Sequence, residues 1–167
     1  MTEKEFFIET LKSELPAFER VLKAMEKIPS GKHSYKHDEK SRTAFELAFQ
    51  TLGAESAMIP VFLTTGKLDF SAQPKPKWKT IKAIREAFTK NMNETLKLAQ
   101  KMDQKQWGSK SAMYMGGKTE ADWASTKGKM AWGFLLDLIH HRGQLSTYLR
   151  PMGGKVPSIY GPSADMK

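Results

Sequence analysis

The sequence predicts an all-α protein that folds as a single four-helix bundle. Four segments carry apolar residues at three- and four-residue steps, which is the spacing of one face of an α-helix. Proline, glycine or polar stretches separate these segments, and no stretch has the pattern of a sheet. The chain has 167 residues, of which 40% are hydrophobic, so it can bury one core. We therefore expect residues 1–167 to form one helical-bundle domain.

The first two helices each contain a proline. The first helix is expected from about Thr2 to Lys27, and Pro16 inside it predicts a kink or a break. The second helix is expected from about Ser41 to Thr65, with Ser41 as its N-cap. Pro60 is expected to kink or divide the last turns of this second helix.

A long polar connection separates the last two helices. The third helix is expected from about Trp78 to Met102, and the fourth from about Ala121 to Leu149, starting near Thr119 or Asp122. The connection is longer than a bundle needs, which is typical of loops that carry function, and a short hairpin fits there. Proline and glycine residues stop the fourth helix, so residues 151–167 are expected to form an extended tail.

Composition and charge exclude several classes of function. The chain has no cysteine, which excludes disulfides, thiolate metal sites and a cysteine nucleophile. The charged N-terminus does not resemble a signal peptide, and no run of 18 apolar residues occurs. We therefore expect a cytoplasmic protein without a membrane partner. The net charge is +9, but the lysines are scattered among acidic residues as on a solvated surface, so nucleic-acid binding is not expected.

The last helix carries the clearest chemical signal. Asp137 and His141 are four residues apart, so they lie on one face of the helix and can reach the same ion. A carboxylate with an imidazole suits zinc, nickel or iron, but a third ligand must then come from another helix. His140 points about 100° away from His141 and cannot easily share its metal. The alternative is a hydrogen-bonded Asp–His pair, either buried or on the helix surface.

Other constellations of polar residues are weaker. Glu46 or Glu55 could form a pair of carboxylates with Asp137, but the sequence does not fix their distance. No G-x-S-x-G motif supports a nucleophilic serine. His33 and His37 are also four residues apart, but they lie in a polar loop and are expected to be solvated.

Two motifs more than 80 residues apart resemble the DinB-like family. The first is HHRGQLSTYLR, from His140 to Arg150, followed by PMGGKVPSIYGPSAD; the second is EKSRTAFELAFQ, from Glu39 to Gln50. The resemblance implies a four-helix bundle of up-down-down-up topology, often paired as a homodimer. Typical members hold zinc or nickel with three histidines. Some relatives transfer low-molecular-weight thiols or isomerise maleylpyruvate with a thiol cofactor.

Only one of the three family histidines is kept in this chain. The later histidine of the last helix falls on His141, the earlier one on Asp137, and the histidine of the second helix on Gln50. The resemblance therefore implies a degenerate metal site made of Gln50, Asp137 and His141. The expected function is that of a metal-dependent enzyme of unassigned reaction, acting on a small molecule such as a low-molecular-weight thiol. The alternative is a non-catalytic ligand-binding or interaction bundle whose site has decayed to a polar pocket. Arg142 is expected to pair with an acidic residue of a neighbouring helix.

Overall fold

The fold is mostly helical, with four long helices around one core. The computed structural model describes residues 1–72 and 76–166. The helices are α1 (Glu3–Glu26), α2 (Ala44–Thr65), α3 (Ile81–Lys101) and α4 (Lys127–Leu149). Single helical turns lie at Ser30–Lys32, Phe70–Ala72 and Gln104–Trp107. The four predicted helices are therefore present, with small differences at their ends.

A threonine N-cap starts each long helix. In every case its hydroxyl oxygen accepts a hydrogen bond from the backbone amide three residues later, which satisfies one of the free amides of the first turn. Because of these caps, the second helix begins at Ala44 rather than Ser41, and the third begins at Ile81 rather than Trp78. The four N-caps are Thr2, Thr43, Thr80 and Thr126.

Neither proline breaks its helix, and the kinks expected as the alternative stay predictions. Pro16 lies inside a continuous α1, and Pro60 lies inside a continuous α2. Pro16 is exposed, so water can solvate the carbonyl oxygen of Lys12, which loses its amide partner there. Buried residues on the opposite side of α1, such as Phe18, stay in the core on a helix that runs through the proline.

Aromatic pairs and a shared apolar interior join the helices. α1 packs against α3 and α4, and α2 packs against the same two helices. The rings of Phe18 and Phe88 join α1 to α3 with centroids 4.9 Å apart, and those of Phe62 and Phe134 stack at 5.2 Å between α2 and α4. Such ring pairs stabilise the core beyond the area that they bury.

A three-stranded sheet corrects the expectation of a purely α-helical fold. The strands are β1 (Lys67–Asp69), β2 (Lys110–Tyr114) and β3 (Trp123–Thr126), in the order β1-β2-β3. β2 and β3 are antiparallel and form the hairpin predicted in the long connection, whereas β1 is parallel to β2, with Leu68 opposite Met113. β3 occupies residues that were predicted to be helical and leads directly into α4. The sheet therefore lies beside the first turns of α4.

α2 is the one helix in residues 1–72 and 76–166 that is long and apolar enough to cross a membrane. Half of the apolar stretch of α2 that meets this criterion is buried inside the protein. That burial is typical of a core helix, which passes the same test of length and composition.

A buried ion pair joins the first and last helices, as predicted for Arg142. Its guanidinium donates to the carboxylate of Glu14 on α1, and the two residues are only 3% and 8% exposed. The hydroxyl of Tyr160 in the C-terminal tail donates to both Glu14 oxygens, at 2.9 and 2.8 Å, and accepts from Arg142. The guanidinium also lies 4.9 Å from the centre of the Phe18 ring. α1, α4 and the tail therefore share one satisfied set of buried charges.

Removing Glu14 should strongly destabilise the protein. Glu14→Ala leaves the Arg142 guanidinium buried without its counter-charge, so the free energy of unfolding should fall by about 3–5 kcal/mol. Urea unfolding followed by circular dichroism measures this change. The matched control is Glu9→Ala on the same helix, which removes an exposed ion pair with Lys12 and should cost less than about 1 kcal/mol. Equal losses in the two variants would contradict the importance of the buried pair.

Candidate functional site

A π-helical stretch in α2 positions one side of the site. Residues Ala48–Glu55 form π-helix between two α-helical stretches of α2. π-Helical hydrogen bonds join residues five apart, and such stretches are frequent at functional sites. Gln50 and Glu55 are five apart, so the π turn gives them neighbouring directions that an α-helix would separate. Gln50 is exposed near the start of the stretch, and Glu55 is half-buried at its end.

α4 supplies the other side of the site through Asp137 and His141. These residues lie one turn apart on the same face, as their spacing predicts. The Nε2 atom of His141 lies 3.3 Å from Oδ2 of Asp137. The His141 side chain is only 16% exposed and that of Asp137 is 51% exposed. The pair therefore lies at the edge of the core, with the carboxylate open to solvent.

Glu55 completes a cluster of three ligand-type side chains. One ligand atom from each of Glu55, Asp137 and His141 lies within 4.8 Å of the other two. The carboxylate pair of Glu55 and Asp137, which the sequence left open, is thus brought together. Gln50 lies one π turn before Glu55 on the same helix, and its part in the site stays a prediction. The sequence does not reveal the π stretch, so the resemblance of the motifs alone points to Gln50 rather than Glu55.

The two carboxyl groups cannot easily both be ionised. The pKa of Glu55 is raised to about 8, chiefly by burial and also by the negative charge of Asp137 and a hydrogen bond between the two carboxyl groups. Near neutral pH, Glu55 therefore keeps its proton when no cation is present. The oxygen and nitrogen atoms of the cluster present negative charge and lone pairs to one another, and either a proton or a metal ion can neutralise them.

Gln144 orients the imidazole of His141. The Nδ1 atom of His141 lies 2.8 Å from the side-chain oxygen Oε1 of Gln144, one turn further along α4. Since this oxygen can only accept, Nδ1 carries the proton of this bond, and Nε2 faces the two carboxyl groups. A hydrogen bond from the second ring nitrogen to a carbonyl oxygen is the usual support of a metal-binding histidine. The HRGQ part of the sequence motif therefore supplies both the ligand and its support.

A cavity of about 420 Å³ opens at the carboxylate end of the cluster. The β2–β3 hairpin forms one wall, and the first three turns of α4 form the other. The polar residues of the lining are Glu55, Asp137, Ser125 and Lys129, and the rest of the lining is apolar or glycine: Met113, Trp123, Met130, Gly133 and Phe134. The predicted hairpin thus covers the site.

The donor set fits a divalent metal ion. Two ligands held about 2.1 Å from a tetrahedral ion are about 3.4 Å apart, close to the 3.3 Å between Nε2 of His141 and Oδ2 of Asp137. Glu55 is near enough to add a third ligand without a change of fold. One imidazole with two carboxylates suits zinc and other first-row ions.

The remaining histidines lie outside this cluster. His140 is exposed, and its ring centre is 5.2 Å from that of His141. His33 is buried, with Nε2 3.1 Å from the backbone oxygen of Met25, so the prediction of a solvated residue is wrong for it. His37 is exposed and bonds the hydroxyls of Tyr35 and Thr147.

Comparisons with known proteins agree on one family. The model described as DinB family matches residues 1–166. A DinB-like protein from Bacillus subtilis is similar in structure, with a TM-score of 0.66 and 16% identity, covering 96% of this chain and 99% of the other. A DinB-like protein from Bacillus cereus gives a TM-score of 0.70 at 16% identity, covering 93% and 97%. Curated protein sequences give no match.

The raised pKa of Glu55 should make the metal-free protein less stable as the pH rises. The folded protein holds the Glu55 proton up to about pH 8, whereas the unfolded chain releases it near pH 4.5. Between these values the folded state binds the extra proton, so the free energy of unfolding falls with increasing pH. We expect a contribution of about 2 kcal/mol, less than the full shift implies because Glu55 is partly exposed.

Urea unfolding at pH 5, 6.5 and 8, in the presence of a chelator, measures this contribution. Glu55→Gln should flatten the fall and be more stable than the parent protein at pH 8. Glu46→Gln on the same helix should keep the fall, because hydrogen bonds from Thr43 lower the pKa of Glu46. An unchanged slope in Glu55→Gln would refute the assignment.

Proposed function

The chain belongs to the DinB family, and we propose that it is a metal-dependent enzyme whose divalent ion is held by Glu55, Asp137 and His141. The observation that carries this proposal is the convergence of these three side chains on one point, with the His141 imidazole oriented by Gln144. Zinc or nickel is the expected ion. Gln50 is a further neutral ligand or substrate contact, one π turn from Glu55.

The proposed site replaces two histidines by carboxylates without losing the ability to bind a cation. Glu55 takes up the role that the sequence motif assigns to position 50, because the π stretch turns it toward α4. Two carboxylates with one neutral imidazole balance a divalent charge, whereas the same three groups without an ion require a proton on Glu55. Metal binding therefore displaces the Glu55 proton.

The bound ion would supply Lewis-acid activation of a nucleophile such as a low-molecular-weight thiol. The protein's own residues hold this chemistry in a partly enclosed space. His141 keeps its lone pair toward the site because Gln144 accepts from its other nitrogen. Met113, Met130 and Phe134 exclude water from the opposite side and provide an apolar surface for a small substrate. A transfer or isomerisation of a small molecule fits this cavity.

A second candidate is a non-catalytic ligand-binding bundle. The raised pKa of Glu55 favours it, because a neutral Glu55 hydrogen bonded to Asp137 satisfies the cluster without any ion. The same cavity then binds its ligand through polar contacts alone. Metal content distinguishes the two candidates.

The assembly and location of the protein are also part of the proposal. The packing of α1 and α2 against both α3 and α4 supports a four-helix bundle of up-down-down-up topology. An exposed apolar patch, formed by Phe6, Trp132 and Leu136, supports a homodimer. A cytoplasmic location agrees with the absence of cysteine.

Untagged protein should bind one zinc or nickel ion per chain, and plasma mass spectrometry after loading and dialysis measures it. Asp137→Ala and His141→Ala should each lose the ion, because two remaining ligands hold a metal poorly. His140→Ala is the matched control: it removes the adjacent exposed imidazole and should keep the ion. Calorimetry at pH 7 in buffers of different ionisation enthalpy should detect proton release in the parent protein and its loss in Glu55→Gln.

Gln144→Ala tests the support of His141 separately from the ligands. This variant keeps all three ligand side chains and should weaken metal binding by about 10- to 100-fold. If the parent protein holds no ion under any loading, the metal-dependent proposal fails and the ligand-binding candidate replaces it.

The apolar patch should pair two copies of the chain. Light scattering coupled to size-exclusion chromatography should give twice the chain mass for the parent protein. Leu136→Lys places a charge in the centre of the patch and should produce a monomer, whereas Leu136→Met should stay paired. A parent protein that stays monomeric at about 100 µM would refute the homodimer, because this concentration is on the order of common dimer dissociation constants.

A further inference from the structure

One face of α4 carries four residues of different chemistry at four-residue steps. Lys129, Gly133, Asp137 and His141 follow one another along this face. The first three line the cavity, and the fourth binds the third through the 3.3 Å contact described above. With 1.5 Å of rise per residue, the ammonium-bearing residue and the carboxylate are separated by about 12 Å along the helix. The wall that α4 gives to the cavity therefore carries a cation toward one end and the Asp137 carboxylate, beside Glu55, toward the other.

Helix packing does not explain why position 133 is a glycine. It lies in the middle of a 23-residue helix, where glycine is less favourable than almost any other residue. No atom lies within 4 Å of the position that a Cβ would occupy, so close packing does not require a glycine there. Because this position faces the cavity, the missing side chain leaves space between the two ends of the cavity. Gly133 lowers the stability of the helix, and this loss is consistent with a requirement for that space.

Lys129 is a free cation beside an apolar surface. In the part of the chain that the structure describes, no carboxylate forms an ion pair with it. Met113, Trp123, Met130 and Phe134 line the space between this cation and the cluster. Trp123 is 67% exposed, which is unusual for so large an apolar side chain and leaves its ring open to a ligand.

We propose that the cavity binds an extended organic monoanion with an apolar body. Its carboxylate contacts Lys129, its body lies over Gly133 against Met113 and Phe134, and its far end reaches Glu55 and Asp137. Gly133 sets the length and width of the molecules that are accepted. The inference rests on the proposed function for the reacting end and for the net charge of the site, whereas Lys129 and the apolar lining are present without the metal.

The charges of the site support this choice of ligand. Two ionised carboxylates, a neutral His141 and a divalent ion sum to zero, so Lys129 leaves the loaded cavity with one positive charge. A monoanion neutralises that charge, whereas a cation would be repelled. A contact between a charged donor and a carboxylate in a partly enclosed site contributes about tenfold or more in affinity.

The test uses 6-phenylhexanoate as the probe and its amide as the neutral counterpart. Calorimetry on the full chain should show binding of the carboxylate, and the amide should bind about tenfold more weakly. Lys129→Gln should reduce carboxylate affinity by about tenfold and leave the amide unchanged. Gly133→Leu should weaken both ligands by at least about tenfold, because the new side chain fills the cavity.

Gly143→Leu is the matched control for the glycine. Gly143 is also exposed on α4 with no atom within 4 Å of a Cβ, but it does not line the cavity. Both leucine variants should raise the urea midpoint of unfolding, since both replace a helical glycine. Only Gly133→Leu should lose ligand affinity. Equal affinity in the two variants, or no binding of the carboxylate by the parent protein, would overturn the inference.

Metal content measured on the same samples separates this inference from the proposed function. Lys129→Gln and Gly133→Leu should keep the ion, because neither residue belongs to the cluster. Metal retention without any carboxylate binding refutes the anion site alone. Carboxylate binding that depends on Lys129 and Gly133 in a protein without metal supports the anion site and refutes the metal-dependent reaction alone.

Discussion

The buried contact between Arg142 and Glu14 determines how α4 is turned in the fold. Successive residues of a helix point about 100° apart, so fixing one of them fixes its neighbours. Arg142 is held toward α1 by Glu14, Tyr160 and the ring of Phe18. His141 must then face away from α1, toward α2 and Glu55. A structural ion pair on one side of the helix thereby positions the chemical groups on the other side.

The candidate site has the opposite electrostatic character. The Arg142 pair is neutral and hydrogen bonded to the tail, whereas Glu55 and Asp137 are two carboxyl groups in contact that cannot easily both be ionised. A proton on Glu55 compensates them in the protein without metal, and the divalent ion proposed above would do so in its place. The ion requires an imidazole with a free lone pair, which Gln144 maintains. The proposed ion and the Glu55 proton are therefore alternatives at one position, so the fold does not require the ion in order to form.

Much of the framework could be predicted from the sequence, because it depends on local periodicity. The four helices and the shared face of Asp137 and His141 follow from spacing, whereas the acidic partner of Arg142 is expected without its identity. β1 has only three residues, too few for an alternating pattern, and it forms because the hairpin offers a parallel edge. Glu55 lies beside Asp137 at the end of a stretch of α2 in which hydrogen bonding changes from i→i+4 to i→i+5, and the sequence contains no local signal of that change. Gly53 contributes to that stretch by letting the Trp78 ring lie against the helix, a contact between distant segments that no local pattern contains.

The length of chain between Glu14 and Arg142 has a consequence for synthesis on the ribosome. The two residues are 128 positions apart, and Tyr160 follows 18 positions after Arg142. Until α4 has been made, α1 is complete while its buried carboxylate has no counter-charge and cannot be taken out of water. α1 therefore stays solvated on that side until α4 emerges, and this part of the core can close only after that point.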